Sequence, residues 1–404
     1  MLAIRAGRLF DGEKFSGGGA TVLLDRGRIL AVEHGYPDVG EQWQVIDEPD
    51  STILPGLIDT HVHLVTDSGQ SALDRVAGYT DDEIEGVITE GLRRQLAAGV
   101  TTVRDLGDRR YAALDRRDRQ RSGRATGPEP TILASGPPLT SPDGHCADMG
   151  GEVRGVPAVS AAVRERIERR VDAVKIMASG GMNTVRTDVT RPQFTVGEIR
   201  AAVDLAHDAA IGVSVHAHAL AAVEQALEVG VECIEHCSCL TGTGLLLTDE
   251  LLDRLAASGA AVGAAMGMPP ATAFSDAPPN ARAMMERAGV TLEAVNAMRM
   301  DMLGRMYRAG VTLVTGADSG IAPWLAHGLL RRSIATMVEF SGSTTAALAA
   351  STSVAARACA VQGRKGLLRA EYDADVLVVQ GDLQADIAAL GNVRTVVLGG
   401  AVVG

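Results

Sequence analysis

Hydrophobic and polar positions change rhythm twice along this chain. Over residues 1–54, short alternating runs (Leu2-Ala3-Ile4, Thr21-Val22-Leu23-Leu24, Arg28-Ile29-Leu30-Ala31-Val32) are separated by turn clusters such as Asp11-Gly12 and Ser16-Gly17-Gly18-Gly19. That pattern predicts strands without helices. From 55 to 360, short apolar runs ending in polar residues alternate with longer Ala/Leu/Arg/Glu segments of helical period. With Ile53-Leu54 read as the first strand of this region, the further candidates are Thr101–Arg104, Thr131–Ala134, Ala173–Ile176, Gly212–Val215, Cys233–Glu235, Ala260–Val262 and Thr312–Val314. A strand–helix unit repeated about eight times predicts a (β/α)8 TIM barrel. From 361 to 404 the text is β-like again (Ala374–Val379, Val393–Leu398), so both chain ends are expected to form one small β-sandwich packed on the barrel. The stretch from Pro269 to Met306 is too long for a plain βα loop, and its Pro-Pro pairs and methionines predict a lid.

Composition narrows the class. With 404 residues, 46% of them hydrophobic, the chain can bury a large core, and its 46 glycines beside only 5 Phe, 5 Tyr and 2 Trp suit an aliphatic α/β interior. A net charge of −12 with no basic stripe argues against nucleic acid as a partner. Five cysteines, an odd number, do not spell a disulfide framework, and a reducing compartment fits. The N-terminus enters a strand-like alternation at once, and the longest apolar run, Ala260–Met268, falls short of a membrane span. The expectation is a cytoplasmic homo-oligomer acting on a small molecule, with no membrane or nucleic-acid partner.

The chemistry-bearing residues fall at predicted strand ends, where a TIM barrel collects its functional groups. His61 and His63 are two apart at the end of the first barrel strand, so both rings point the same way and offer a two-point metal seat. His216, His236 and Asp318 follow later strands in the same fashion. His218 shares a face with His216, and spacing alone leaves open which of them would bind a metal. Lys175 at a barrel strand is costly to bury charged; its neutral amine beside two cations can instead take up CO₂ as a bridging carbamate. His34 and His207 read as structural or exposed, and the spacing of Cys233, Cys237 and Cys239 is not that of a CxxC metal site.

In order, Pro55-Gly56-Leu57-Ile58-Asp59-Thr60-His61-Val62-His63, Lys175, His216, His236 and Gly316-Ala317-Asp318, with Ala374-Asp375-Val376-Leu377-Val378 near the end, resemble the amidohydrolase superfamily over essentially the whole chain. Within it, Lys175 with its Gly180-Gly181 loop, His216-Ala217-His218 and the Ser141-Pro142-Asp143-Gly144-His145 turn are most similar to the binuclear zinc Xaa-Pro dipeptidase (prolidase) and carboxypeptidase-like group. The resemblance implies His61, His63 and Asp318 on a buried ion, His216 and His236 on a second, and carboxylated Lys175 bridging them; zinc suits these ligands. Two divalent ions against a carbamate, Asp318 and a hydroxide leave about one net positive charge, which suits an anionic substrate. It also implies that a metal-bridging hydroxide attacks a non-ring amide bond of a carboxyl-bearing substrate, such as a dipeptide or N-acyl amino acid. Asp318 would carry the proton to the leaving amine and His145 would meet the oxyanion. His218 stands where related enzymes often place a tyrosine.

Arg186 and Arg191 lie in the loop beyond Lys175, and His327 lies beyond the last strand; these join His218 as candidates to bind substrate. A competing reading is a mononuclear cyclic amidohydrolase or deaminase resembling imidazolonepropionase, which needs no carbamate. A more remote one is a metal-free scaffold of the same fold.

Overall fold

A computed structural model describes residues 1–264 and 277–403. In chain order the strands are β1 (Leu2–Phe10), β2 (Phe15–Asp25), β3 (Arg28–His34), β4 (Gln44–Pro55), β5 (Leu57–Val62), β6 (Val100–Asp105), β7 (Thr131–Ala134), β8 (Ala173–Met177) and β9 (Gly212–His216). Then come β10 (Cys233–Glu235), a hairpin of β11 (Leu240–Thr241) and β12 (Gly244–Leu245), β13 (Ala261–Gly263), β14 (Leu313–Val314), β15 (Val376–Gln380), β16 (Val393–Leu398) and β17 (Ala401–Val402).

The two chain ends meet in one seven-stranded sheet of order β17-β16-β15-β4-β1-β2-β3. Alternation along β4 and β15 splits its side chains between two interiors. Ile53, Val376 and Val378 join Leu2, Ile4, Val22 and Leu24 in a small core of the sheet, whereas Leu54, Leu377 and Val379 face the large core beneath the helices. Ile53-Leu54 therefore does not open the barrel as the sequence pattern predicts. It pairs with Val378 and Leu377 in the terminal sheet, and the first strand of the parallel layer begins after Gly56, at Leu57. Gly56 has no room for a side chain, because a Cβ there would fall 2.1 Å from Thr101 Oγ1.

The parallel layer has a three-stranded segment, β5-β6-β7, and a five-stranded one, β8-β9-β10-β13-β14. Isolated parallel bridges link Leu139 to Ile176 and Val62 to Ser319, so the architecture is TIM-barrel-like with an added sheet. Helices follow the strands with one apolar face each. The helix Asp81–Ala97 buries Ile84, Ile88, Leu92 and Leu96, four apart. Thr80 and Glu83 close its first turn as a capping box, and Thr195 with Glu198 does the same for the helix Val196–Asp208; such a cap contributes about 0.5–2 kcal/mol. No helix among the described residues is long and apolar enough to cross a membrane. Of the segment expected as a lid, Pro269 through Asp276 lies outside the described residues; the remainder forms the helices Pro279–Ala288 and Leu292–Arg308.

Candidate active site

Six of the nine histidines gather at the C-terminal ends of the parallel strands. Ring centroids of His61 and His63 are 5.3 Å apart, those of His61 and His236 5.3 Å, those of His216 and His236 4.6 Å, and those of His145 and His216 4.5 Å. His218 sits 4.6 Å from His216 and 4.5 Å from His236. Two sets could each hold a metal ion: His61, His63 and Asp318, and His216, His218 and His236. The sequence left His216 and His218 as alternatives; the structure brings both to the second set.

In the first set every group is oriented by a partner. His61 and His63 each present Nε2 to Asp318 Oδ1 at 3.4 Å. Their Nδ1 atoms are engaged behind, His61 with Glu235 Oε2 at 3.0 Å and His63 with the carbonyl of Gly107 at 3.1 Å. Asp318 has φ of 52°, a left-handed backbone that a non-glycine residue holds only when its surroundings impose it. Asp59 supplies much of that restraint. Fully buried, it accepts hydrogen bonds from the backbone N–H of His61 and Ala317, the Ser319 hydroxyl and the Gln95 amide. Burial pushes its pKa up to about 6 against those hydrogen bonds. Nothing in the spacing of the Pro55–His63 run marks Asp59 as the brace between the two ligand-bearing strands; its position inside a buried strand is the one signal. Burial would raise the Asp318 pKa too, but His61, His63 and Lys175 outweigh it and bring it to about 2.

The second set has looser anchors. His216 Nε2 lies 3.2 Å from the carbonyl of Gly180, and His218 Nδ1 lies 2.8 Å from Ser238 Oγ. Burial, then repulsion from neighbouring rings, lowers the pKa of His216 and His236 well below the ordinary value; burial brings that of His218 to about 3. Three neutral imidazoles with open lone pairs are a donor set for a transition metal. His145 is also neutral, its pKa lowered by burial to about 3, and its Nδ1 is 2.8 Å from Thr184 Oγ1. Its ring fits because residue 181 is glycine: a Cβ there would lie 2.2 Å from it.

Lys175 on β8 is buried, and among the described residues its Nζ has no hydrogen-bond partner. Burial lowers its pKa, and its field reaches residues of both sets, including His61, His216, His236 and Asp318. An unsatisfied buried polar group costs roughly 1–3 kcal/mol, so this lysine fits a state in which its nitrogen gains further partners.

A cavity of about 1100 Å³ opens over these groups. Its described lining is largely apolar, with Met177, Met182, Met284, Met285, Met298, Met302 and Trp324. The arginines it exposes are Arg191, Arg287 and Arg299. Arg299, on the helix Leu292–Arg308, donates to the carbonyl of Ala264 and is close enough to His218 to depress its basicity. No sequence signal singles it out, because a helical arginine inside the expected lid carries no distinguishing pattern. Arg186 is absent from the lining; its guanidinium is held by Asp148 Oδ2 at 2.6 Å and by the carbonyl of Asp143. His327 is absent too. It is buried against Gly91 and Gly320, with a pKa lowered by burial to about 4.

The chain matches the amidohydrolase family model over residues 52–403. A solved Xaa-Pro dipeptidase with methionine bound in its active site superposes with a TM-score of 0.87 at 26% identity, covering 100% of this chain and 99% of that one. The ochratoxinase of Aspergillus niger is 25% identical over 384 residues, spanning 85% of this chain and 73% of its own length. The imidazolonepropionase of Salinispora arenicola is 28% identical over 289 residues, 68% and 69% of the two chains. Strand-end histidines, a buried lysine, the aspartate after the last parallel strand and these likenesses together make this chain a member of the amidohydrolase family, a hydrolytic enzyme whose solved neighbours include a Xaa-Pro dipeptidase.

Proposed function

We propose that this enzyme is a binuclear metal-dependent hydrolase that cleaves the non-ring amide bond of a carboxyl-bearing substrate, an N-acyl amino acid or dipeptide. The observation that carries the reading is the buried, unpartnered Nζ of Lys175, electrostatically coupled to both ligand sets. Carboxylated, it would supply the anion that the all-histidine second set lacks. The eight parallel strands form one closed (β/α)8 barrel in this reading, with 1–54 and 361–404 as its accessory domain.

His61, His63 and Asp318 would hold one ion, and His216 and His236 the other, with Lys175 shared between them. Bound there, a pair of divalent ions, zinc by ligand type, would polarise an amide carbonyl and lower the pKa of the attacking water. The chain's own residues do the rest. Asp318, ionised at neutral pH, accepts the proton of the attacking water and returns it to the leaving amine. His145 donates from Nε2–H to the developing oxyanion once the Thr184 hydroxyl donates to its Nδ1. His218, braced by Ser238, is placed to help orient the carbonyl. Arg299 and Arg191 attract the substrate carboxylate, and the methionine-rich wall favours an apolar acyl group. A curated relative whose name is ochratoxinase and a neighbour that is a Xaa-Pro dipeptidase support amide hydrolysis in a related site.

Protein produced with zinc and bicarbonate should carry two ions per chain and release amino acid from N-acyl amino acids. One ion per chain after saturation would instead favour the cyclic amidohydrolase reading suggested by the imidazolonepropionase likeness, which leaves Lys175 without a role.

A further inference from the structure

Behind His61, away from the cavity, lies a buried polar cluster that the proposed chemistry does not use. Glu235, at the end of β10, is fully buried. Its Oε2 faces His61 Nδ1 at 3.0 Å. Its Oε1 accepts from Arg104 Nη2 at 2.9 Å, the Ser214 hydroxyl at 2.8 Å and the Cys233 thiol at 3.1 Å. Arg104, itself buried, is fixed by donating Nε to the carbonyl of Thr60 and Nη1 to that of Ala358. The neighbouring strand makes space for this carboxylate: Glu235 pairs with Gly263, where a Cβ would fall 2.1 Å from Glu235 Oε2.

We propose that Glu235 and Arg104 are positioning residues for the metal centre: Glu235 fixes His61 as the Nδ1–H tautomer, so that its Nε2 lone pair faces Asp318 and the metal seat. Oε1 already receives three donors, one of them a guanidinium, which holds the carboxylate as an acceptor. An acceptor 3.0 Å from Nδ1 requires a proton there, and a neutral imidazole with hydrogen on Nδ1 has its lone pair on Nε2. That is the nitrogen 3.4 Å from Asp318 Oδ1. The carboxylate also makes the ring a stronger donor to a cation, and loss of such outer partners typically lowers metal affinity about 10–100-fold. Arg104 offsets the charge of Glu235, so the cluster orients His61 without adding a second net negative charge beside Asp318. A buried ion pair serving only to fill the barrel would need neither the contact to His61 nor a glycine cradle.

This inference rests on His61 being a metal ligand, and the experiment separates the two. The zinc-loaded enzyme and its Glu235→Gln and Gly263→Ala variants are titrated with a chelator, and the cobalt-substituted forms are compared by visible absorption. The expected result is a roughly 10–100-fold loss of affinity for one ion and an altered cobalt spectrum in both variants, while Ser214→Ala, which removes one of three donors to Oε1, shifts either by less than about threefold. Independently of any variant, a nitrogen–proton NMR correlation of the imidazoles in the apo-protein should show His61 protonated at Nδ1. A wild-type enzyme that binds no metal would overturn the proposed function but leave the tautomer to be read. Protonation of His61 at Nε2, or folded variants with unchanged affinity and spectrum, would overturn the positioning role.

Discussion

The two candidate metal-binding sets at the C-terminal ends of the parallel strands differ in how the protein prepares them. His61, His63 and Asp318 are held from behind by Glu235, the Gly107 carbonyl and the Asp59 brace, and the set carries its own anion. His216, His218 and His236 are neutral imidazoles with a backbone carbonyl and a serine hydroxyl as the anchors just described. Asp318 therefore gives the first set a carboxylate of its own to attract a cation, whereas in the proposed reading the second gains its anion when Lys175 takes up CO₂. In that reading the chain builds one seat that is complete as translated and one that a covalent modification completes.

The largest effect should come from the first seat. Asp318→Asn keeps an oxygen at the site but loses the proton acceptor, so turnover should fall by at least about 10²-fold while much of the metal remains. Metal analysis beside kinetics decides this: a parallel loss of both would make Asp318 a ligand and nothing more. Next in size is Lys175→Ala. One ion per chain should be lost first, from the second seat, with most activity, and short carboxylic acids should partly restore both by occupying the bridging place. Retention of two ions by this variant would erase the distinction between the seats.

How much of this was readable beforehand follows the range of the interactions. Strand-end candidates announce themselves by local alternation, so His61, His63, His216, His236 and Asp318 all lie at the expected end of the parallel layer. The start of that layer was misplaced because Ile53-Leu54 and Leu57-Ile58 are equally apolar; only the pairing of β4 with β15, some 320 residues later, separates them. Glu235, Arg104 and Gly263 were illegible for the same reason. Each is an ordinary strand residue in its own run, and the cluster exists only where β6, β9, β10 and β13 converge. The loop after β8 carries no periodicity to say which arginine faces inward; of its two, Arg191 borders the cavity and Arg186 does not.

The smallest expected effects test that loop and the cavity it borders. Arg299 is close to His218, so its replacement by Met should raise KM for a free-acid substrate by roughly 10- to 100-fold, since a charge-assisted contact in a shielded place contributes about 1.5–3 kcal/mol. Arg191 also lines the cavity but its side chain is 81% exposed; Arg191→Met should raise KM only about two- to fivefold, and less in high salt, because water and counter-ions screen an exposed charge. Arg186→Met should leave KM unchanged, since Asp148 already holds that guanidinium outside the lining. Ground and transition states lose such a contact together, so kcat should stay near its original value in all three. An amidated substrate should be insensitive to every one of these replacements. Equal losses for free-acid and amidated substrates would remove the carboxylate from the recognition scheme and leave the methionine-rich wall as the determinant of what binds.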